Sequence, residues 1–101
     1  MVSELQACVG QAIRLLKLLA TEQRLLLLCR LVDGEASVED LAEHSGLAQS
    51  AASQHLYKMR AEGLIATRRD AQTIYYRITD KDAINVLNTL AQIHRGSLVA
   101  A

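Results

Sequence analysis

Residues 37–62 read SVEDLAEHSGLAQSAASQHLYKMRAE, and this stretch decides the fold. Ser37 stands three residues before Asp40, which is the spacing of a capping box and predicts that a helix begins here. That helix is short, running to about His44, because Ser45-Gly46 is typical of a tight turn. The stretch therefore opens as a capped helix followed by a turn.

A second helix follows the turn, over about residues 49–62. Its inner face is predicted from the helical spacing of three apolar residues, Ala52, Leu56 and Met59. Gly63 is expected to end it, and Ala48 is a poor N-cap for its start, where Ser or Thr would be typical. Two short helices joined by a glycine turn predict a helix–turn–helix over about residues 37–62.

The pattern then changes to a period of two, which indicates strands. Residues 64–69 and 73–78 form the two runs, separated by the polar segment Asp70-Ala71-Gln72. In the second run Ile74, Tyr76 and Ile78 face one way, and Thr73, Tyr75 and Arg77 face the other. We predict a β-hairpin wing over about residues 64–78.

Three amphipathic helices complete the chain, over about residues 4–20, 22–32 and 80–95. Thr21 is positioned to cap the second of them, whose apolar face is predicted to comprise Leu25, Leu28, Cys29 and Val32. The fold class is therefore mainly α with a β-hairpin wing. We expect five helices, with two strands between the fourth and the fifth, in a single winged-helix domain spanning residues 1–101.

The amino-acid composition argues against several classes of protein function. The chain has 101 residues and half of them are hydrophobic, so we expect apolar surface left over for a partner subunit. The 11 basic and 11 acidic residues argue against a histone-like protein or an acidic tail, and the absence of Trp and Phe argues against an aromatic-lined pocket. No apolar run approaches the roughly 20 residues of a membrane span, and no signal peptide is evident. We expect a cytoplasmic protein with two free thiols.

The zero net charge hides a segregation of charge along the chain. Residues 33–46 contain five acidic side chains and neither Lys nor Arg, whereas residues 47–78 contain five basic and two acidic side chains. The second helix of the helix–turn–helix and the hairpin therefore form a basic end beside an acidic helix. This arrangement is compatible with double-stranded DNA as a partner.

Short hydrogen-bonding side chains of the second helix are suited to read base edges or phosphates in the major groove. The candidates are Gln49, Ser50, Ser53, Gln54, His55 and Lys58. On the hairpin, Arg68, Arg69 and Gln72 are placed to reach phosphates or a narrow minor groove. Two alternatives remain open: a buried His55 that bonds within the fold, and a winged helix that binds protein instead of DNA.

Four stretches carry a resemblance to a known family. They are QRLLLLC at 23–29, GLAQSAASQHL at 46–56, EGLI at 62–65 and RRDAQTIYY at 68–76. From about residue 15 to 94 the sequence resembles the ArsR/SmtB family of prokaryotic winged-helix repressors. The resemblance implies a homodimer assembled through the helices at about 4–20 and 80–95. It also implies a repressor that leaves its palindromic operator when an inducer binds.

The metal sites of that family are not matched. The helix at 37–44 has no Cys-x-Cys motif, and His94 lies too far from Asp80 and Asp82 to repeat the ligand spacing of the family's second site. Zinc needs about four convergent ligands. We therefore expect no metal and no cofactor. The three His residues show no paired nucleophile and orienting acid, so we expect no enzymatic activity.

Two metal-free branches of the family are the most similar. The reactive-sulfur and redox-sensing branch, which includes biofilm-growth and haemolysin regulators, is matched by Leu25 to Cys29 but lacks its second Cys near residues 93–96. The rhizobial nodulation-repressor branch shares the reading helix and wing without a cysteine switch. One hypothesis is an oxidant or persulfide sensor at Cys29, with Cys8 as a substitute partner thiol. The alternative is that both cysteines are small buried hydrophobic residues.

Overall fold

The structure, a computed structural model, describes the backbone of residues 2–100 and the side chains of residues 3–95. The described residues form six helices and three strands. The helices are α1 (Val2–Ala7), α2 (Val9–Leu19), α3 (Glu22–Val32), α4 (Val38–Ser45), α5 (Gln49–Ala61) and α6 (Lys81–Ala100). The strands are β1 (Ala36–Ser37), β2 (Ile65–Asp70) and β3 (Thr73–Ile78). None of these helices is both long enough and apolar enough to cross a membrane.

The predicted hairpin is confirmed, but it belongs to a sheet of three strands. The strand order is β1-β3-β2, with β3 antiparallel to both neighbours. The expectation of two strands was wrong because β1 contains only two residues, too few for an alternating pattern to be visible in the sequence. Its residues pair with Tyr75 and Tyr76 of β3. The wing is thereby attached to the chain that immediately precedes α4.

The helix predicted over residues 4–20 is divided into α1 and α2 at Cys8. The Cys8 N–H donates to the Leu5 carbonyl, three residues back, at 3.1 Å, so the helical ladder tightens there before α2 begins. Gly10 lies in the first turn of α2 and has a low helix propensity, which favours a break nearby. The last helix also differs from its prediction, since it continues to Ala100 rather than ending near residue 95.

The core lies between α3, α4, α5, the sheet and α6. Its buried hydrophobic residues include Leu27, Leu28, Leu31, Leu41, Ala52, Leu56, Met59, Leu64, Ala83 and Leu87. The inward face predicted for α5 is confirmed in full. The face predicted for α3 was wrong in part, because Leu27 and Leu31 are buried whereas Cys29 is exposed. Four consecutive leucines at 25–28 give a helical pattern that fits more than one rotation of the helix.

Three predicted helix starts are confirmed by side-chain caps. The Thr21 side chain accepts from the Arg24 N–H at 3.2 Å, and Ser37 accepts from the Asp40 N–H at 3.2 Å. Asp80 accepts from the Ala83 N–H at 2.9 Å, which fixes the start of α6. Each cap satisfies a backbone donor that has no partner within its helix. These caps determine where α4 and α6 begin on either side of the wing.

Candidate nucleic-acid interface

The turn between α4 and α5 holds the two helices together at a fixed angle. Gly46 adopts φ 75°, a left-handed conformation that favours glycine. The Ser45 hydroxyl donates to the Ala42 carbonyl at 3.2 Å and accepts from the Leu47 N–H at 3.4 Å. Leu41 of α4 and Leu56 of α5 are both fully buried beneath the turn. The helix–turn–helix predicted over about residues 37–62 is therefore present.

The outer face of α5 carries the predicted reading residues. Five of the six are exposed: Gln49, Ser50, Ser53, Gln54 and Lys58. At the start of the helix, the side chain of Ala48 provides no cap. The backbone N–H groups of the first turn therefore remain available to an acceptor from outside the chain. The face as a whole presents hydrogen-bonding groups without large apolar side chains, apart from Tyr57.

Two residues of α5 differ from what the sequence indicated. His55 is half-buried, so it lies at the edge of the reading face rather than in its centre. Tyr57 was not selected from the sequence, yet 74% of its surface is exposed. It lines a shallow depression together with Ser53, Gln54 and Lys58. The signal that points to it is its helical spacing, since it follows Ser53 by four residues and Gln54 by three.

The wing places its polar residues at the exposed end of the hairpin. Ala71 has φ 57° in the tight turn that joins β2 to β3. Gln72 lies in that turn and Arg69 lies near the end of β2, and both are exposed. Among the described side chains, Arg69 and Lys58 take part in no salt bridge. The structure therefore leaves positive charge on α5 and at the tip of the wing.

Arg68, by contrast, is bound within the protein. Its Nε donates to both carboxylate oxygens of Glu35, at 2.7 Å and 3.0 Å, and its guanidinium carbon lies 4.7 Å from the centre of the Tyr75 ring. The hydrogen bond from Arg68 lowers the pKa of the Glu35 carboxyl and raises the pKa of Arg68. Glu35 was not selected from the sequence because its partner lies 33 residues away.

A second ion pair holds the far end of α5. Arg24 of α3 lies 2.8 Å from the Glu62 carboxylate, and its Nη1 also donates to the Leu18 carbonyl at 2.9 Å. Its side chain is only 12% exposed. Arg24 thus joins the end of α2, the start of α3 and the end of α5. Partial burial makes this pair less screened by solvent than the Glu35–Arg68 pair.

The cysteines lie away from this face. Cys29 lies on a cavity of about 370 Å³ between α3 and α6, lined also by Leu25, Leu87, Leu90, Ala91 and His94. Partial burial and the nearby Asp33 raise the pKa of its thiol. Cys8 is half-buried, and its Sγ donates to the Glu4 carbonyl at 3.4 Å. Both are free thiols. The alternative that Cys29 is a buried hydrophobic residue is therefore wrong, since it is exposed.

Metal ligands do not converge in the described part of the chain. No group of three or more His, Cys, Asp or Glu side chains within it is arranged to hold an ion.

Large apolar side chains are exposed on the helices outside the helix–turn–helix. On α1 and α2 they are Leu5, Val9, Ile13 and Leu16, each 46–52% exposed. On α6 they are Leu90 and Ile93, which are 37% and 59% exposed. Exposed stripes of this kind on adjacent helices are typical of an interaction surface.

Comparison with known proteins agrees with this geometry. The family described as "Bacterial regulatory protein, arsR family" matches residues 21–67. The transcriptional activator HlyU of Vibrio cholerae is 38% identical over 93 residues, covering 92% of this chain and 86% of its own. The nodulation protein NolR of Rhizobium meliloti is 48% identical over 79 residues, covering 78% of this chain and 65% of its own. Both branches indicated by the sequence motifs are thus represented.

Solved structures match over nearly the whole chain. The transcriptional repressor BigR of Xylella fastidiosa has a TM-score of 0.85 at 35% identity, covering 92% of this chain and 95% of its own. A homodimeric winged helix-turn-helix DNA-binding domain of Mycobacterium bovis has a TM-score of 0.73 at 30% identity, covering 95% and 89%. The winged helix-turn-helix fold predicted from the sequence is therefore confirmed.

Proposed function

Since this chain belongs to the ArsR family of bacterial transcriptional regulators, we propose that it is a repressor that binds a palindromic DNA operator as a homodimer. The observation that carries the proposal is the exposed polar face of α5, held at a fixed angle by the Gly46 turn. A regulator of bacterial genes acts where the DNA is, in the cytoplasm. The relatives reported above are regulators and not enzymes, and we propose no catalytic role.

The reading surface comprises two parts with different tasks. Gln49, Ser50, Ser53 and Gln54 on α5 are positioned for base edges and nearby phosphates in the major groove, with His55 at the edge of this surface. Lys58, Arg69 and Gln72 supply charge and hydrogen bonds to the backbone on either side. The uncapped first turn of α5 adds backbone N–H donors suited to a phosphate oxygen. Arg68 belongs to the same surface, but its guanidinium is already bound to Glu35.

Dimerisation accounts for the exposed apolar helices. The stripe on α1 and α2 and the exposed residues of α6 are unfavourable in water, at roughly 25 cal/mol per Å² of apolar surface. We expect that covering them against a second copy presents two reading helices on one side of the dimer. Two half-sites would then lie about one helical turn apart, roughly 34–36 Å. The neighbour from Mycobacterium bovis is homodimeric, which supports dimerisation of this chain.

The direction of control is proposed as repression because BigR is a repressor, although HlyU is named an activator. For the inducer we propose an oxidant or persulfide acting on Cys29, supported by the exposure of this residue beside the cavity between α3 and α6. The raised pKa of the thiol opposes rapid reaction. The alternative is a repressor of the nodulation type that has no thiol switch.

DNA binding is tested by selection from a random-sequence duplex pool with the full chain. We expect a selected duplex with two inverted half-sites 10–10.5 base pairs apart. Ser53→Ala combined with Gln54→Ala should weaken binding to that duplex by at least about 100-fold, since each lost base contact removes about 1–3 kcal/mol. Gln23→Ala, an exposed glutamine on α3, is the matched control and should bind normally. Recovery of no preferred duplex would favour a protein-binding winged helix.

The inducer is tested separately with the same duplex. The chain is treated with polysulfide or peroxide, its mass is measured, and its affinity for the selected duplex is compared with that of Cys29→Ser. Modification of Cys29 with a loss of affinity, absent from the Ser variant, supports the thiol switch. An unmodified chain, or a modified one that binds DNA as before, supports the alternative without a switch.

A further inference from the structure

One face of the three-stranded sheet contains a row of residues that crosses all three strands. Tyr75 of β3 pairs with Ser37 of β1 on one side and with Arg68 of β2 on the other. Paired residues of antiparallel strands project to the same face. The Arg68 guanidinium therefore lies over the Tyr75 ring and reaches across β3 towards the segment that leads into β1.

Glu35 receives this guanidinium, and Glu35 is itself held in place. It stands two residues before Ser37, on the same side of the extended chain. Its backbone carbonyl accepts from Nη2 of Arg30 on α3 at 3.4 Å, while Nη1 of Arg30 donates to the Gly34 carbonyl at 3.2 Å. The anchor of Arg68 is thus attached to the end of α3 rather than to a mobile surface loop.

The segment 35–37 connects the wing to the helix–turn–helix through three different contacts. Glu35 binds Arg68 of β2. Ala36 and Ser37 pair with β3. The Ser37 side chain also caps α4, the first helix of the helix–turn–helix. A change in the angle of the wing relative to α4 would have to disturb the Glu35–Arg68 ion pair or the pairing of β1 with β3, unless the Ser37 cap moved instead.

We propose that Arg68 is a positioning residue, which Glu35 holds so that the wing keeps a fixed angle to the helix–turn–helix, and that it does not bind a DNA phosphate. This inference rests on the proposed DNA binding. The ion pair is exposed, with the two side chains 48% and 34% accessible, so it contributes little to global stability. The ion pair acts instead by fixing the orientation of Arg69 and Gln72 at the tip of the wing.

The test compares Glu35→Gln, Arg68→Gln and the charge-swapped double variant Glu35→Arg/Arg68→Glu in the full chain. The measured quantity is the ratio of affinities for the selected duplex and a random duplex of equal length. In each single variant this ratio should be about fivefold lower than in the unmodified chain. In the charge-swapped double variant it should be within about twofold of the unmodified value. Circular dichroism confirms that each variant is folded.

Salt dependence separates positioning from phosphate contact. If Arg68 bound a phosphate, Arg68→Gln would flatten the slope of log affinity against log salt by about 0.9 per subunit. The proposal expects an unchanged slope. A flattened slope, tighter binding by Glu35→Gln, or a swapped variant that binds no better than the single variants would each overturn it.

Amide hydrogen exchange without DNA provides a readout that does not depend on the proposed function. Exchange at Ser37 and Tyr75 should be about fivefold faster in each single variant and close to normal in the swapped variant. If selection recovers no DNA, the proposed function fails while this measurement still decides the role of the pair. Exchange that is unchanged in both single variants would refute the positioning role.

Discussion

The helix–turn–helix and the helices α1, α2 and α6 contain similar apolar residues but bury them to different extents. In the helix–turn–helix, Leu41, Leu56 and Met59 are fully buried, and the outer face is polar apart from Tyr57. On α2, Leu16 remains 52% exposed, and on α6 Ile93 remains 59% exposed. The first region completes its core within one chain, whereas the second leaves apolar surface uncovered.

This difference indicates that the two regions contribute to DNA binding in different ways. Residues 47–78 have an excess of only three positive charges. A subunit with so small an excess gains little affinity from counterion release alone. Strong binding would then require two reading surfaces acting together, which depends on α1, α2 and α6. The leucines that never meet DNA should therefore control its affinity more than any single polar contact.

The largest effect on dimerisation and DNA affinity is expected from Leu16→Glu on α2. A carboxylate placed in an apolar interface costs several kcal/mol, so we expect the dimer to dissociate at least about 100-fold more readily. Sedimentation equilibrium measures the change, and affinity for the selected duplex should fall with it. The isolated subunit should remain folded by circular dichroism, because Leu16 lies outside the buried core.

Gln11→Glu is the matched control, since it adds the same charge to an exposed position on the opposite side of α2. We expect it to dimerise normally. Dimerisation that survives Leu16→Glu unchanged would contradict the use of this stripe as an interface and would leave its exposure unexplained.

A smaller effect is expected from Arg69→Ala at the tip of the wing. Loss of one phosphate contact in each subunit should weaken binding to selected and random duplexes alike, by about tenfold near physiological salt. The salt slope should flatten by about 0.9 per subunit. Titrations at three or more salt concentrations measure both quantities.

Arg14→Ala provides the control for Arg69→Ala, because it removes an exposed arginine from α2, outside the helix–turn–helix and the wing. For Arg14→Ala, the slope of log affinity against log salt concentration should match that of the unmodified chain. A preference for one base pair that disappears in Arg69→Ala would instead indicate that Arg69 reads sequence in the minor groove.

The helix–turn–helix could be predicted from the sequence because its signals are local. The Ser37 cap, the Gly46 turn and the spacing of Leu56 and Met59 all lie within a few residues of the structure they specify. The same reason accounts for the hairpin, whose alternation extends over six residues in each strand. Local signals also explain why the start of α6 could be predicted to within a residue, at Asp80.

Features that depend on distant contacts could not be predicted. The strand β1 is defined by its pairing with β3, about 40 residues later, and not by any pattern of its own. Glu35 gained its role only when the fold brought Arg68 to it. The exposure of Cys29 depended on the rotation of α3, which four successive leucines left ambiguous.

A further, smaller change is expected from Tyr57→Phe, which tests the one large ring on the reading face. Tyr57 lies beyond the middle of α5, where a reading helix leaves the groove, so its hydroxyl is placed to donate to a phosphate oxygen. Loss of that hydrogen bond should weaken binding about threefold to selected and random duplexes alike. Fluorescence anisotropy with both duplexes measures it.

Tyr76→Phe is the control, because Tyr76 packs against the core from β3 and not on the reading face. Its DNA affinity should be unchanged. A loss confined to the selected duplex in Tyr57→Phe would show that the hydroxyl reads a base, which would extend the base-reading surface further along α5.

The smallest expected effect is on the alkylation rate of Cys29, which lies on the side of the molecule formed by α3 and α6. Burial and the Asp33 carboxylate raise the pKa of its thiol, so at a given pH less thiolate is present than in an unstructured peptide. Alkylation by iodoacetamide, measured by mass spectrometry in a Cys8→Ser background, should therefore be slower than that of a free cysteine. Its rate should still be rising above the pH at which an ordinary thiol reaches half-maximum.

Asp33→Asn sharpens this expectation, because it removes the charge that opposes the thiolate while preserving the shape of the side chain. The pKa should fall towards its usual value, and alkylation at pH 8 should accelerate by about twofold. Glu22→Gln, at the opposite end of α3, is the control and should leave the rate unchanged. An unchanged rate in Asp33→Asn would assign the raised pKa of the Cys29 thiol to partial burial alone.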